Sequence, residues 1–487
     1  MLARLSLVRK MALLALLAWL GATTACAGDA DLGGAGPVDA ATPDGSADEL
    51  TTALRVIEGA VVTEEVSFAS GYRRFRIAFE QPVDHDDPAG PRFTQMLTLL
   101  HRDVTAPMVL VSTGYHDFLR GSLGEPAVLL EANQIVVEHR YFGSSRPQPA
   151  DWRYLDIEQA AGDHHRVIAA LQPLYTGQWI STGASKGGMT SIFHRRFHPD
   201  DVTATIAYVA PLNFSVDDAR YESFFDQLDQ LAGAGDCVQQ VRELQRQALL
   251  QRDQLIDYFA DVATRQGYTF ERMQGLARAF EAGVVELEWT YWQYQGLSAC
   301  SALPTDTSFA DLAGFVDGSN VVWTMSDQQA SLFEAYYYQV LTQIGYPSVP
   351  SAHLMDLLQF DYEAGLALLA PAGVTTTYDP EAMRDMADWV AGEGERILRI
   401  YGAHDPWSAG AMTLGADADS YSFVAPGASH GARIADLAAD DRAQAIALLR
   451  AWAQAPAAPA GRRDDDTGTV APPAPPTEPV PRPRLGL

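Results

Sequence analysis

Three residues of the chain have the types and the sequence settings that nucleophilic catalysis requires, namely Ser185, Asp405 and His430. A serine hydroxyl is a poor nucleophile at neutral pH until a base takes its proton, and histidine is the side chain whose ordinary pKa suits that task. An ionised aspartate fixes the tautomer of the imidazole and stabilises the imidazolium that forms. The three residues therefore indicate a Ser-His-Asp triad, although Asp405 could simply begin a turn and His430 could be an exposed loop residue.

The segment around Ser185 predicts the sharp turn that such a serine needs. Trp179 and Ile180 indicate a buried strand before it, and a helix is expected to begin near Gly188. Glycines two positions before and two positions after the serine leave room for the neighbouring strand and the following helix. This is the pattern of the nucleophile elbow of α/β hydrolases, in which a strained strand-to-helix turn presents the hydroxyl. A G-x-S-x-G string alone is common in glycine-rich turns, so its flanking elements carry the argument.

Short apolar runs predict the sheet on which this elbow lies. Strands are predicted at 72–79, 93–101, 108–112, 135–138, 203–210, 397–401 and 421–424. Helical stretches alternate with the later strands, which indicates a mostly parallel sheet with helices on both faces. Asp405 and His430 follow the last two predicted strands, and α/β hydrolases carry their acid and base in those loops.

Composition divides the chain into six segments. These are a signal peptide at 1–27, a disordered spacer at 28–50, the first part of an α/β-hydrolase core at 51–214, a helical cap at 215–385, the second part of the core at 386–454 and a disordered Pro-rich tail at 455–487. Apolar residues recur at helical spacing through the cap while strand signals nearly vanish, so we expect a mostly helical insertion between two strands. Spacer and tail lack the large apolar residues that build a core.

The N-terminus predicts export from the cell. A basic stretch precedes an apolar run at 11–20, and Ala25-Cys26-Ala27 has the small residues of a cleavage site. We therefore expect a secreted protein. In the alternative, a lipid on Cys26 anchors the protein to the cell envelope, although Thr23 stands where such signals usually carry leucine.

Charge and cysteine content narrow the possible partners. A formal net charge of −28 argues against binding to nucleic acid, because phosphate recognition needs basic patches. In an exported chain Cys237 and Cys300 are expected to form a disulfide, the alternative being two buried free thiols. No His/Cys/Glu cluster shows metal-ligand spacing, so neither a metal nor a cofactor is expected.

An oxyanion hole is expected beside the serine. Its donors should be the backbone N–H of Lys186, which follows the nucleophile, and that of Tyr115, in the loop after the strand at 108–112. Gly114 would allow the backbone to approach the substrate closely. The Lys186 side chain is expected to point to solvent. His404 is the competing base.

Several segments of this chain resemble the secreted bacterial prolyl tri- and tetrapeptidyl aminopeptidases, serine peptidases distantly similar to prolyl carboxypeptidase. The similar segments are 137–147 (VEHRYFGSSRP), 183–190 (GASKGGMT), 289–294 (WTYWQY), 342–347 (TQIGYP) and 402–408 (GAHDPWS). The resemblance implies that Ser185, Asp405 and His430 act as nucleophile, acid and base. It also implies an exopeptidase that releases short peptides from a free N-terminus, often after proline.

An enzyme that counts residues from a free amine needs a fixed anion for the ammonium. Glu286 and Glu288 precede an aromatic run whose Trp289 and Trp292 could form an apolar pocket for proline. Glu138 and Glu334 are rival anchors. In the plainer interpretation, all of these acids are ordinary helix-face residues and the aromatic residues fill the core of the cap.

Two other functions fit the same residues. An esterase or lipase would use the same scaffold, although this cap mixes glutamine, arginine and tyrosine with its apolar stripe, which suits a peptide better. A noncatalytic binding protein tethered at the cell surface would suit the spacer and the Pro-rich tail. Peptides or proteins are the expected partners, and a membrane is expected only if Cys26 is lipidated.

Overall fold

The computed structural model describes residues 45–228, 230, 235–416 and 418–455. The predicted signal peptide with Cys26, most of the predicted spacer, and the predicted tail beyond residue 455 lie outside the described residues. Within these ranges, no helix combines the length and the apolar character needed to cross a membrane.

A nine-stranded sheet forms the centre of the described part. Its strands are β1 (Ala60–Glu65), β2 (Arg73–Pro82), β3 (Arg92–His101), β4 (Met108–Ser112), β5 (Asn133–Val137), β6 (Trp179–Ala184), β7 (Ala204–Tyr208), β8 (Ile397–Gly402) and β9 (Tyr421–Ala425). The order is β1-β2-β3-β5-β4-β6-β7-β8-β9, antiparallel from β1 to β5 and parallel from β5 to β9. The predicted mostly parallel sheet and α/β-hydrolase architecture are confirmed.

The first strand, β1, was not predicted from the sequence. Along β1 only Val62 is buried, so the segment offers almost no apolar signal. It is a strand because its backbone pairs along its whole length with β2, from Ala60 opposite Phe79 to Glu65 opposite Arg74. Pairing with a neighbour is a tertiary contact that a local pattern does not reveal.

Helices surround the sheet and build the cap. They are α1 (Gly45–Arg55), α2 (Glu125–Leu130), α3 (Ile157–Leu171), α4 (Lys186–Phe197), α5 (Glu222–Leu228), α6 (Gly235–Leu250), α7 (Arg252–Gln266), α8 (Leu276–Val285), α9 (Leu287–Tyr294), α10 (Phe309–Gly318), α11 (Val321–Thr324), α12 (Asp327–Gln339), α13 (Tyr362–Leu368), α14 (Pro380–Gly392) and α15 (Ala439–Trp452). Helix α1 begins inside the predicted spacer because Leu50 and Leu54 join the apolar cluster of β2.

Alternate residues of the central strands face opposite helical layers. Val109 and Val111 of β4 pack with α2 and α15, whereas Met108 and Leu110 of the same strand pack with α1 and α3. Both faces of the parallel strands are thereby buried, as their continuous apolar runs require. The sheet is therefore rigid where its strands end, and the loops there can hold side chains in fixed positions.

The cap, helices α5 to α14, lies between β7 and β8 in the chain, and its described residues contain no strand. Its core is continuous with the helix that follows the predicted nucleophile, because Met189 and Phe193 of α4 belong to the same apolar cluster. Cys237 and Cys300 form a disulfide inside the cap, with their Cα atoms 5.6 Å apart, as predicted.

Candidate active site

Ser185 occupies a strained turn between β6 and α4. Its backbone has φ 55° and ψ −128°, a region that non-glycine residues rarely adopt. A Cβ at Gly183 would lie 2.3 Å from the backbone of Gly187, and a Cβ at Gly187 would lie 2.3 Å from the carbonyl oxygen of Ser112. The two glycines are therefore needed because backbone fills the space that a side chain would take.

Asp405 and His430 meet at the carboxyl ends of β8 and β9. The Nδ1 atom of His430 lies 2.8 Å from Oδ2 of Asp405, which is completely buried. Nε2 of His430 is also buried, and within the described ranges it has no hydrogen-bond partner. The competing His404 packs its ring against Trp292 and makes no ion pair with the described acids. An imidazole held at Nδ1 by a carboxylate keeps Nε2 available to accept a proton.

The loop after β4 approaches the elbow very closely. Gly114 has φ +70°, and a Cβ there would lie 2.5 Å from the backbone nitrogen of Gly187. The backbone N–H of Tyr115 donates to Thr113 Oγ1 at 3.3 Å, within its own loop. Burial raises the pKa of the Tyr115 phenol, and the interaction of this phenol with the Ser185 side chain acts in the opposite direction. The structure thus brings the side chain of Tyr115 close to Ser185, and the role of its N–H as an oxyanion donor stays a prediction.

The sequence analysis expected the Lys186 side chain to point to solvent, and this expectation is wrong. Lys186 is buried, with only 2 % of its surface exposed. Its Nζ donates to the carbonyl oxygen of Gly114 and lies 5.3 and 5.1 Å from the ring centres of Tyr115 and Phe142. Burial lowers the pKa of the amine well below its ordinary value. Lys186 is the first residue of α4, where backbone N–H groups lack an intrahelical acceptor.

Glu125, which the sequence analysis did not single out, holds the loop that follows His430. Its carboxylate accepts hydrogen bonds from the backbone N–H groups of Ile434 and Ala435 and from the hydroxyl of Tyr208, at 2.9 to 3.0 Å. Burial raises the pKa of this carboxyl, which is 3 % exposed. A single glutamate after a glycine carries no local sign of a partner about 310 residues away, so only the fold reveals this role.

Comparison with known proteins assigns the family. The model of the PS-10 peptidase S37 family matches residues 44–473. The chain is a member of this family. It is therefore a serine peptidase, and its substrates are peptides or proteins.

The prolyl tri/tetrapeptidyl aminopeptidase of Streptomyces mobaraensis is 38% identical to this peptidase over 425 residues, which cover 86% of this chain and 88% of that protein. The lysosomal Pro-X carboxypeptidase of Mus musculus is 29% identical over 154 residues, 28% of this chain and 31% of that protein. Among solved structures, proline iminopeptidase of Mycobacterium smegmatis superposes with a TM-score of 0.37 at 15% identity, covering 78% of this chain and 99% of that one. A score this low supports no conclusion about function.

Of the four acids that the sequence offered as anchors, Glu286 is the one whose hydrogen-bond partners are tyrosine hydroxyls. It accepts hydrogen bonds from the hydroxyls of Tyr362 at 2.5 Å and Tyr346 at 3.5 Å. Burial raises the pKa of Tyr336, and the charges of Tyr115 and Glu286 add to this rise; the rings of Tyr336 and Tyr115 lie 5.7 Å apart. Burial raises the pKa of the Glu286 carboxyl, against the two hydroxyl donors. Glu286 is thus an acid held by two tyrosine hydroxyls of the cap.

The other three acids are engaged elsewhere. Glu288 is 1 % exposed and pairs with Arg242 at 2.8 Å, on the side of the helix facing α6. Glu138 accepts a hydrogen bond from Ser145 Oγ at 2.8 Å. Glu334 bridges Arg146 of the core and Arg272 of the cap, at 2.6 and 2.8 Å. Ion pairs with arginine leave Glu288 and Glu334 little capacity for a substrate ammonium. Glu138, which accepts hydrogen bonds from Ser145 Oγ and the backbone N–H of Asp117, stays a candidate anchor.

The two tryptophans proposed as a proline pocket are buried. Trp289 packs against Trp407, with ring centres 5.1 Å apart, and Trp292 lies against His404. Both join the cap to the loop that carries Asp405, because His404 and Trp407 belong to that loop. The Trp407 ring also lies 6.1 Å from the His430 ring. The plainer interpretation of Trp289 and Trp292, as core residues, describes their surroundings.

Aromatic residues of the cap pack against Tyr115 in the loop after β4. Tyr115 packs against Phe333 and Tyr336, both at 5.7 Å between ring centres. Tyr294 of α9 is 44 % exposed, and its ring lies 6.4 Å from that of His430. The sequence hint was the run of tyrosines in α12, whose placement depends on how the cap folds onto the sheet.

Proposed function

We propose that this peptidase is a secreted exopeptidase that releases peptides of three or four residues from free N-termini, preferring proline at the cleavage site. The name of the Streptomyces relative, a prolyl tri/tetrapeptidyl aminopeptidase, supports the residue count and the proline preference. The predicted signal peptide supports export. Ser185 is the nucleophile, His430 the general base and Asp405 the residue that orients His430.

The reaction proceeds through an acyl-enzyme. Ser185 Oγ attacks the scissile carbonyl carbon while His430 Nε2 takes the hydroxyl proton, and the carbonyl π electrons move to oxygen. The backbone N–H of Lys186 and the hydroxyl of Tyr115 donate to this oxyanion. Burial keeps the phenol protonated and therefore able to donate. His430 then protonates the leaving amine, the C–N bond breaks, and water, activated in the same way, hydrolyses the ester.

The observation that carries the exopeptidase proposal is the position of Glu286. We place the substrate ammonium at Glu286, beside the hydroxyls of Tyr346 and Tyr362, while the acyl carbon lies at Ser185, beside Tyr115. A fixed anion at a fixed distance from a nucleophile counts residues, because each residue of an extended peptide adds about 3.3 to 3.6 Å. A blocked N-terminus would lose this contact and would also have to be accommodated beside a desolvated carboxylate.

Mass spectrometry of the products from defined peptides tests the proposal. A decapeptide with proline at position three should yield its N-terminal tripeptide, and its N-acetylated form should yield far less. Internal cleavage, or equal cleavage of the acetylated peptide, would contradict an exopeptidase. Ser185→Ala is the control that must abolish turnover and labelling by a fluorophosphonate probe.

The same preparation separates the alternatives. Faster turnover of nitrophenyl butyrate than of a proline tripeptide anilide would indicate an esterase. Folded protein that neither reacts with the probe nor cleaves peptides would indicate a tethered binding protein. N-terminal sequencing of the exported protein shows whether residues 1–27 are removed or whether Cys26 becomes the first residue.

A further inference from the structure

Four histidines gather on the side of the elbow helix that lies away from the serine. They are His164 and His165 of α3, His194 of α4, and His198 just after α4. The rings of His165 and His198 are stacked with centres 4.3 Å apart, those of His194 and His198 are 6.0 Å apart, and those of His164 and His194 are 5.7 Å apart. The peptidase mechanism uses none of them.

An acid completes this histidine group. Asp201, in the turn before β7, lies 2.9 Å from Nδ1 of His165 and 2.9 Å from Nε2 of His194, both measured to its Oδ2. One nitrogen from His165, one from His198 and one oxygen from Asp201 all lie within 4.8 Å of one another. Two imidazoles and a carboxylate are the ligand set that zinc and related transition metals prefer.

We infer that His165, His198 and Asp201 bind a divalent transition-metal ion of the zinc type, with His194 holding the carboxylate in place. Tetrahedral coordination at metal–ligand distances near 2.0 to 2.1 Å requires ligand atoms roughly 3.4 Å apart. Since all separations are within 4.8 Å, none has to shrink by more than about 1.4 Å, and we assign this adjustment to rotation of the His198 and His165 side chains. Water fills the remaining coordination position.

Burial supports the assignment of roles. The His165 side chain is 45 % exposed, so an ion can reach the site from solvent. His194 is completely buried, and its Nε2–H can donate to Asp201 Oδ2 while Oδ1 remains for the metal. Its other nitrogen, Nδ1, is buried without a hydrogen-bond partner in the described part of the chain. A hydrogen bond such as that from His194 Nε2–H to Asp201 Oδ2 orients a ligating carboxylate, and losing such a bond commonly lowers metal affinity 10- to 100-fold.

The position of the proposed metal site indicates a structural role. The ligands come from α3, from the C-terminal end of α4 and from the turn leading to β7. Helix α4 has twelve residues and starts at the nucleophile, so the site lies roughly 18 Å from Ser185. A metal there would tie together the three elements behind the elbow without touching the substrate. The sequence predicted no metal because His165 and His198 are distant in the chain and only the packing of α3 against α4 joins them.

Zinc titration of the complete chain, after EDTA treatment and removal of the chelator, tests the inference. We expect one Zn²⁺ per chain by calorimetry, a rise in Tm with ZnCl₂ but not with MgCl₂, and visible absorption of tetrahedral Co²⁺ on substitution. His165→Gln and His198→Gln should each weaken zinc binding at least 100-fold, and His194→Asn should weaken it 10- to 100-fold. The control His353→Gln, in the cap, should bind zinc like the wild type.

Two results would overturn the metal site. One is a wild-type protein that neither binds zinc nor changes Tm at millimolar ZnCl₂. The other is zinc binding that is unchanged in His165→Gln and His198→Gln, which would place the ion elsewhere. Because the site lies far from the serine, removal of the metal should lower Tm while hydrolysis of a tripeptide anilide at 25 °C continues. The test is therefore independent of the peptidase proposal.

Discussion

Replacement of Glu286 by glutamine should remove the preference for substrates with a free N-terminus over N-acetylated ones. Glutamine keeps an oxygen for the hydroxyls of Tyr362 and Tyr346, so the pocket keeps its shape and loses only its charge. A charge pair about 4 Å apart in a site of effective dielectric 20 is worth about 4 kcal/mol. Removing one partner of such a pair commonly costs 2 to 5 kcal/mol. We expect a loss of about 3 kcal/mol, or roughly 100-fold in kcat/KM.

The assay compares two substrates that differ only at the N-terminus. An Ala-Ala-Pro anilide carries the ammonium and its N-acetyl form does not. Glu286→Gln should lose roughly 100-fold in kcat/KM for the first and less than about threefold for the second. Equal losses on both substrates, or no loss on the free amine, would refute an amine anchor at Glu286.

Glu288→Gln is the matched control, because it removes a carboxylate two residues away that pairs with Arg242. This variant should lower Tm, since a half-buried guanidinium loses its partner, and should leave the ratio between the two substrates unchanged. A changed ratio in Glu288→Gln would mean that the cap as a whole, and not the charge at Glu286, sets the preference.

The protonation state of Glu286 adds a pH signature. Burial raises the pKa of its carboxyl, and only the ionised form attracts an ammonium group. Below the raised pKa the free enzyme holds a neutral carboxyl, so kcat/KM for the free-amine anilide, relative to the acetylated one, should fall as the pH drops through that raised pKa. In Glu286→Gln this ratio should be flat over the same range.

Three further predictions concern residues that hold the site together. Glu125→Gln should lower the free energy of unfolding, measured by urea denaturation, by about 2 to 3 kcal/mol, and it should also lower kcat. The reason is that an amide cannot accept from all three donors that meet at this side chain. Unchanged stability would contradict the anchoring role of Glu125. Lys186→Met should fill the same buried space but lose the hydrogen bond to the Gly114 carbonyl. We therefore expect kcat to fall about tenfold and KM to change less than about twofold. An unchanged kcat would mean that the loop after β4 is held by packing alone. The Arg140 guanidinium beside Asp163 lowers the pKa of that carboxyl from 3.8 to about 2. The pair therefore contributes about 2 kcal/mol to the free energy of unfolding above the unfolded pKa, and this contribution is lost as the pH falls from about 4 to 2. Denaturation curves at pH 7, 4 and 2.5 should show this loss of stability in the wild type and a smaller loss in Asp163→Asn.

Local sequence determined the elements that form the catalytic framework. The strand Trp179–Ala184, the glycines around Ser185 and the loops after β8 and β9 were predictable because each depends on neighbouring residues. A buried parallel strand needs a continuous apolar run, and a tight turn beside backbone needs glycine, so both leave a readable pattern. Pairing of Cys237 with Cys300 was predictable from the small number of cysteines together with the predicted export.

Only the tertiary structure decided which side chains meet. Glu286 and Glu288 are two residues apart and look alike in sequence, yet one faces two tyrosine hydroxyls and the other pairs with Arg242. Lys186 was expected in solvent and is buried, and the histidines behind the elbow meet an acid although they lie far apart in the chain. The direction of a side chain on a helix is fixed by what packs against that helix, and this information is distributed over the whole cap and sheet.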